Sequence, residues 1–101
     1  MTRDQAIAAL RRHAPELRAA GVRSASLFGS TARGEASPSD VDVAVQLDKS
    51  FSKGGFDHYG QLAELQQHLA AILGCPVDIV EEPVRKPHLQ QEIDQDRAVA
   101  F

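Results

Sequence analysis

Three aspartates carry the chemistry that this sequence suggests. Asp40 and Asp42 stand one residue apart in the stretch SDVDVAV, and Asp78 sits in VDIV. Residues two apart in a strand point to the same face. Asp40 and Asp42 therefore project together, while Val41 and Val43 turn toward a core. Two carboxylates this close repel, and one is expected to keep its proton unless a cation lies between them. Mg²⁺ suits such a pair, because it takes oxygen ligands, accepts one or two carboxylates and completes its shell with water and phosphate oxygens. An isolated pair of this kind is more often a polar strand edge or a capping aspartate. Asp78 adds a third acid between Val77 and Ile79, where an aspartate in an apolar strand is unfavourable without a partner. If its strand lies beside that of Asp42, the three carboxylates can hold two metal ions. They can also hold one ion and leave a base for the proton of an attacking hydroxyl.

About ten residues before the acid pair stands FGSTARGE. Gly29 follows an apolar run and, without a Cβ, lets a phosphate approach closely. Ser30 and the amides after it open a short helical turn, where N–H groups favour an anion. Arg33 can touch a phosphate or lie as an exposed turn residue. Taken alone, Gly29 and Ser30 are also an ordinary tight turn with a helix cap. An anion-binding turn close to a cation-binding acid pair makes a coherent nucleotide–metal site.

The elements that must position these groups are legible in the periodicity. Helix is expected over residues 2–14, capped by Thr2, with Ala6, Ile7, Leu10 and Ala14 on one face. Pro15 opens a second short turn that ends near Gly21. Val22–Phe28 reads as a strand and residues 30–34 as a short helical turn, with EASPSD as a loop. Val41–Leu47 alternates with period 2, placing Val41, Val43, Val45 and Leu47 opposite Asp42, Ala44 and Gln46. DKSFSKGGFDHYG reads as a polar, glycine-containing mobile loop. Helix follows over residues 59–73, ended by Gly74, on the spacing of Leu62, Leu65, Leu69, Ile72 and Leu73. Residues 77–80 form a third strand, residues 87–97 a last helix opened by Pro87, and AVAF a short terminal strand. The expected fold is α/β (α+β), a small mixed sheet with helices packed on one face.

A chain of 101 residues is the size of one domain. With 43% hydrophobic and 25% charged residues its composition is that of a soluble globular protein. A net charge of −3 counts against general nucleic-acid binding or a membrane-surface role. No segment approaches the length of a membrane span. The single cysteine, Cys75, excludes an intramolecular disulfide and fits a reducing cytoplasm. Cys75 is read as a small packed residue rather than a nucleophile. His13, His58, His68 and His88 are scattered without metal-ligand spacing and are read as surface residues. Arg85 and Lys86 are read as a solvated helix start, and Tyr59 as a packing group at the head of its helix. Phe51, Phe56 and Phe101 either finish the core or offer an apolar docking surface.

The combined pattern of Gly29-Ser30, a spacer, Asp40-x-Asp42 and a later Asp78 resembles the nucleotidyltransferase superfamily that includes DNA polymerase beta. The short length and the flavour of ARGE and SDVDV are similar to its minimal nucleotidyltransferases, over nearly the whole chain. The resemblance implies a single minimal nucleotidyltransferase domain over residues 1–101. It implies that Gly29 and Ser30 hold nucleotide phosphates with Arg33 beside them. It further implies that Asp40, Asp42 and Asp78 are catalytic carboxylates on two Mg²⁺ ions. Such enzymes move a nucleoside monophosphate from a nucleoside triphosphate to a hydroxyl and release pyrophosphate. Minimal members resemble the antitoxin half of a toxin–antitoxin pair whose partner is a HEPN ribonuclease. The expectation is then transfer of AMP from ATP to a tyrosine hydroxyl of that toxin. A contact-only antitoxin and an enzyme acting on an aminoglycoside-like alcohol are the alternatives. The complete acid set favours transfer over contact alone, and the lack of an acceptor-binding domain counts against the small alcohol.

Overall fold

The computed structural model describes residues 2–35, 40–49, 51 and 58–101. Most of the EASPSD and DKSFSKGGFDHYG loops, and with them Phe56 and the expectation of mobility, lie outside the described residues.

Thr2 caps α1 (Arg3–Arg12) through a capping box: its hydroxyl accepts from the Gln5 amide, and its own amide donates to Gln5 Oε1. Pro15 stands in the first turn of α2 (Ala14–Ala19). Gly21 then turns the chain with φ +106, and a Cβ there would collide with the Phe51 backbone. β1 (Val22–Phe28) and β2 (Val41–Leu47) keep the bounds that alternation predicts. Between them Gly29, with φ +73, opens α3 (Gly29–Ala32). The remaining elements are α4 (His58–Leu73), β3 (Val77–Glu81), α5 (Pro87–Asp96) and β4 (Ala98–Val99).

The sheet order is β3-β2-β1-β4, with β2 and β3 parallel and the other pairs antiparallel. One face is the main core. Leu10 of α1, Leu17 of α2 and Leu65, Leu69 and Leu73 of α4 pack there against Ala25, Leu27, Val41, Val43 and Val45. A register shift between Val22 and Ser24 adds one residue to β1, so Val22 also turns to this face despite its sequence phase.

The expectation of helices on one face holds for α1, α2 and α4. α5 departs from it: Ile93, fully buried, packs with Phe28 and Ala44 in a second, smaller core, flanked by Leu89, Val80 and Val84. Ala44 and Phe28 alternate away from the main core, and their apolar surface needs this cover. Phe51 is buried in the main core and Phe101 is partly buried against it, with the Arg18 guanidinium 5.2 Å from the Phe101 ring centre. Both therefore finish the core. Tyr59 does not pack as expected: it is 83% exposed, with its ring edge-on to His58.

A candidate active site on three aspartates

Parallel pairing brings the acids together. β2 and β3 pair Val41 with Val77 and Asp42 with Asp78, so both aspartates lie side by side on the α5 face of the sheet. Asp40 ends the loop that leads into β2. Antiparallel pairing of Phe28 with Asp42 then sets the end of β1, and the turn that follows, directly over the Asp42 carboxylate. Gly29 lies against it so closely that a Cβ would run into Asp42 Oδ2. A positive φ and this approach both require glycine at position 29.

Asp42 is half-buried, whereas Asp40 and Asp78 are exposed. Asp78 escapes the cost expected of an aspartate in an apolar strand: β3 is an edge strand, and its aspartate reaches solvent. The Asp42 carboxyl is pushed above its ordinary range, first by burial, then by the charges of Asp78 and Asp40, with Arg33 opposing them. Among the described residues no three His, Cys, Asp or Glu side chains close on one point as a ready-made metal cage. The donor set still fits Mg²⁺, which needs few protein ligands and takes phosphate and water oxygens for the rest. Carboxylates that repel across one face are the groups whose strain such an ion relieves.

α3 carries the proposed phosphate turn. Its backbone winds through bonds from Arg33 N to Gly29 O, Gly34 N to Thr31 O and Glu35 N to Ser30 O. Thr31 is buried, and its hydroxyl has no hydrogen-bond partner among the described residues. The Arg33 guanidinium is already held. Nε donates to Glu35 Oε2 at 2.6 Å and Nη1 to Asp96 Oδ2 at 2.7 Å, and these bonds keep it firmly protonated.

Four residues after Asp78 on the same strand path lies a different carboxylate, one that sequence reasoning missed. Glu82 is buried. Its two oxygens accept from both terminal nitrogens of Arg97, at 2.9 Å for Nη1, and from Gln90 Nε2 at 2.7 Å. Arg97 Nη1 also donates to Ser26 Oγ at 3.1 Å. The Arg97 bonds hold the Glu82 carboxyl below its usual range. No spacing in the sequence signals a pair fifteen residues apart, although an acid beside an apolar strand calls for a partner.

The discounted residues stay outside the site. His13 and His68 both meet Glu16, His58 meets Glu81 and His88 meets Glu92. Cys75 is partly buried against the main core. Arg85 and Lys86 are exposed.

Known proteins resemble this chain in sequence and fold. The protein adenylyltransferase MntA of Thermococcus cleftensis is 39% identical over 82 residues, 79% of this chain and 77% of its own. A solved structure designated a minimal nucleotidyltransferase superposes with a TM-score of 0.71 at 29% identity, over 97% of this chain and 95% of its own. Two more distant structures share the fold. A toxin–antitoxin complex with AMP-PNP has a TM-score of 0.63 at 24% identity, over 100% of this chain and 73% of its own. A complex of a tri-AMPylated Shewanella oneidensis HEPN toxin with its MNT antitoxin has a TM-score of 0.59 at 22% identity, over 90% of this chain and 68% of its own. The family model for "Polymerase beta, Nucleotidyltransferase" matches residues 14–101, from α2 through the acid site to β4, and the chain belongs to that family.

Proposed function

We propose that the chain is the single-domain antitoxin of a HEPN toxin–antitoxin pair and that it transfers AMP from ATP to a tyrosine hydroxyl of the toxin. The observation that carries this reading is the Asp42 carboxyl, raised by burial and by two neighbouring aspartates, under a turn that only glycine can form. The relative named a protein adenylyltransferase, and the MNT complex with an AMPylated HEPN toxin, support the donor and the acceptor.

Gly29 leaves the space in which a phosphate meets the acid cluster, and the first amides of α3 have no intrahelical acceptor to compete for them. Ser30 adds a hydroxyl donor at the same point. Asp40, Asp42 and Asp78 are the oxygen ligands for Mg²⁺, two ions in the fullest arrangement. When bound, the metal neutralises the triphosphate and the acids together. The acceptor oxygen attacks the α-phosphorus, its bond to the pyrophosphate oxygen breaks, and the phenolic proton passes to a carboxylate. Asp78, exposed at the edge strand, is open to an incoming hydroxyl. The protein's share is positioning and charge balance, which suits phosphoryl chemistry. No helix of the described residues is long and apolar enough to cross a membrane, and we place the chain in the cytoplasm, where the lone thiol of Cys75 stays reduced.

The test is incubation of the chain with its neighbouring HEPN protein, ATP and Mg²⁺, followed by intact mass of the partner. Addition of one or more AMP units, lost with chelator, supports the reading. Tight binding without a mass change supports the contact-only antitoxin. If neither binding nor modification is seen, the toxin reading fails, and the aminoglycoside-like alcohol is then the acceptor to assay.

A further inference from the structure

We infer that Arg33 and Asp96 form a latch that holds the phosphate turn on the Asp42 carboxylate, so that both are positioning residues and Arg33 acts through α3 rather than on the nucleotide. The two acids that hold Arg33 are not equivalent. Glu35 lies two residues along in the same turn and ties α3 to nothing else. Asp96 lies 63 residues away in sequence, at the end of α5, and its side chain is 20% exposed.

Asp96 is a fixed post. Three residues before it Ile93 is fully buried against Phe28 and Ala44. Immediately after it Arg97 is bound to Glu82, Ser26 and Asp94. α5 is thereby pinned on both sides of Asp96. α3 buries Thr31 and Ala32, but it is only four residues long, begins at a glycine with positive φ and is followed by Gly34, also with positive φ and with open space around it. Short turns of this kind open locally at little free energy. The Arg33–Asp96 bond is the side-chain hydrogen bond that joins α3 to α5 among the described residues. Because Gly29 touches Asp42, any loosening of α3 opens the gap in which a phosphate is gripped. The effect on ATP rests on the nucleotide-transfer reading above; the latch itself does not, and it is open to measurement without nucleotide.

The test is amide hydrogen exchange across residues 29–35 of the nucleotide-free protein, in wild type, Asp96→Asn and the reversed pair Arg33→Asp with Asp96→Arg. The latch predicts exchange about two- to fivefold faster in Asp96→Asn, as a partly exposed ion pair allows. The main-core strands should keep their protection. The reversed pair and Asp96→Glu should return the rates toward wild type. In the transfer assay Asp96→Asn and Arg33→Gln should each raise KM for ATP by a similar factor, with kcat little changed and no further loss in the double variant. Unchanged exchange in Asp96→Asn would overturn the latch. So would a lower KM for ATP in Asp96→Asn, since it would mean that Asp96 withholds Arg33 from the phosphates. If the wild-type chain transfers nothing, the enzymatic reading fails, and the exchange rates alone decide the latch.

Discussion

Asp42 and Glu82 occupy the same face of the same sheet, at opposite ends of the surface that α5 covers. Glu82 is the more deeply buried of the two, yet its carboxyl is held below the usual range, because Arg97 and Gln90 satisfy it. Asp42 is only half-buried, yet its carboxyl is raised, first by that burial beneath a glycine turn and then by the charges of Asp78 and Asp40. Burial alone therefore does not decide which way a carboxyl is shifted; the groups around it do. A buried acid with a complete set of donors contributes to the fold. An acid left among like charges holds stability in reserve for a ligand that brings positive charge.

The largest expected effect lies at the Asp42 end. Asp42→Asn, or Asp40→Ala with Asp42→Ala, should lower AMP transfer by about a thousandfold or more, since groups that act as a unit fail together. Circular dichroism should show the fold intact. Radiolabel transfer from ATP measures the loss, and chelation of Mg²⁺ should reproduce it.

At the other end the effect falls on stability instead. Glu82→Ala leaves Arg97 partly buried without its carboxylate and should destabilise the protein by about 2–4 kcal/mol, at the lower end because Arg97 reaches solvent. Thermal or urea unfolding reads this directly. A smaller loss should attend Gly29→Val. A side chain at positive φ costs about 1–2 kcal/mol, and the branch would also press on Asp42. Calorimetric titration with ATP and Mg²⁺ should show binding lost in a variant that still folds. Unchanged affinity would make Gly29–Ser30 a helix start and nothing more.

The smallest effect is in the pH dependence. A lowered carboxyl stabilises the fold above its unfolded value and loses that contribution as pH falls. Glu82 should therefore give a loss of stability as pH drops below about 4.3, where free glutamate titrates. Asp42 has the opposite sign: its contribution is present below the unfolded value of about 3.9 and is lost as pH rises through the raised one. Unfolding curves of wild type and Glu82→Gln between acid and neutral pH should converge at the acid end.

Much of the fold was legible because its strongest signals are local. The period-2 run of Val41–Leu47 and the glycines at 21, 29 and 74 mark elements that need no distant partner to be read. Asp40, Asp42, Gly29 and Ser30 were legible for the same reason. Asp78 was found by its unlikely neighbours, but not its exposure, because alternation does not say which strand lies at an edge. The placement of α5 was missed because Ala44 and Phe28 look like minor residues on a polar side until Ile93 covers them. The partners of Arg33 and Glu82 are set by the packing of that helix, so no stretch of sequence around either residue announces them.

The contrast between the two carboxylates is tested most directly by the melting temperature of Asp42→Asn in metal-free buffer at neutral pH. Removing a charge that is desolvated and faces two other acids should raise the melting point above wild type, in the same protein that has lost transfer. A lower melting point would contradict the account, because it would make Asp42, like Glu82, a carboxylate that holds the fold together.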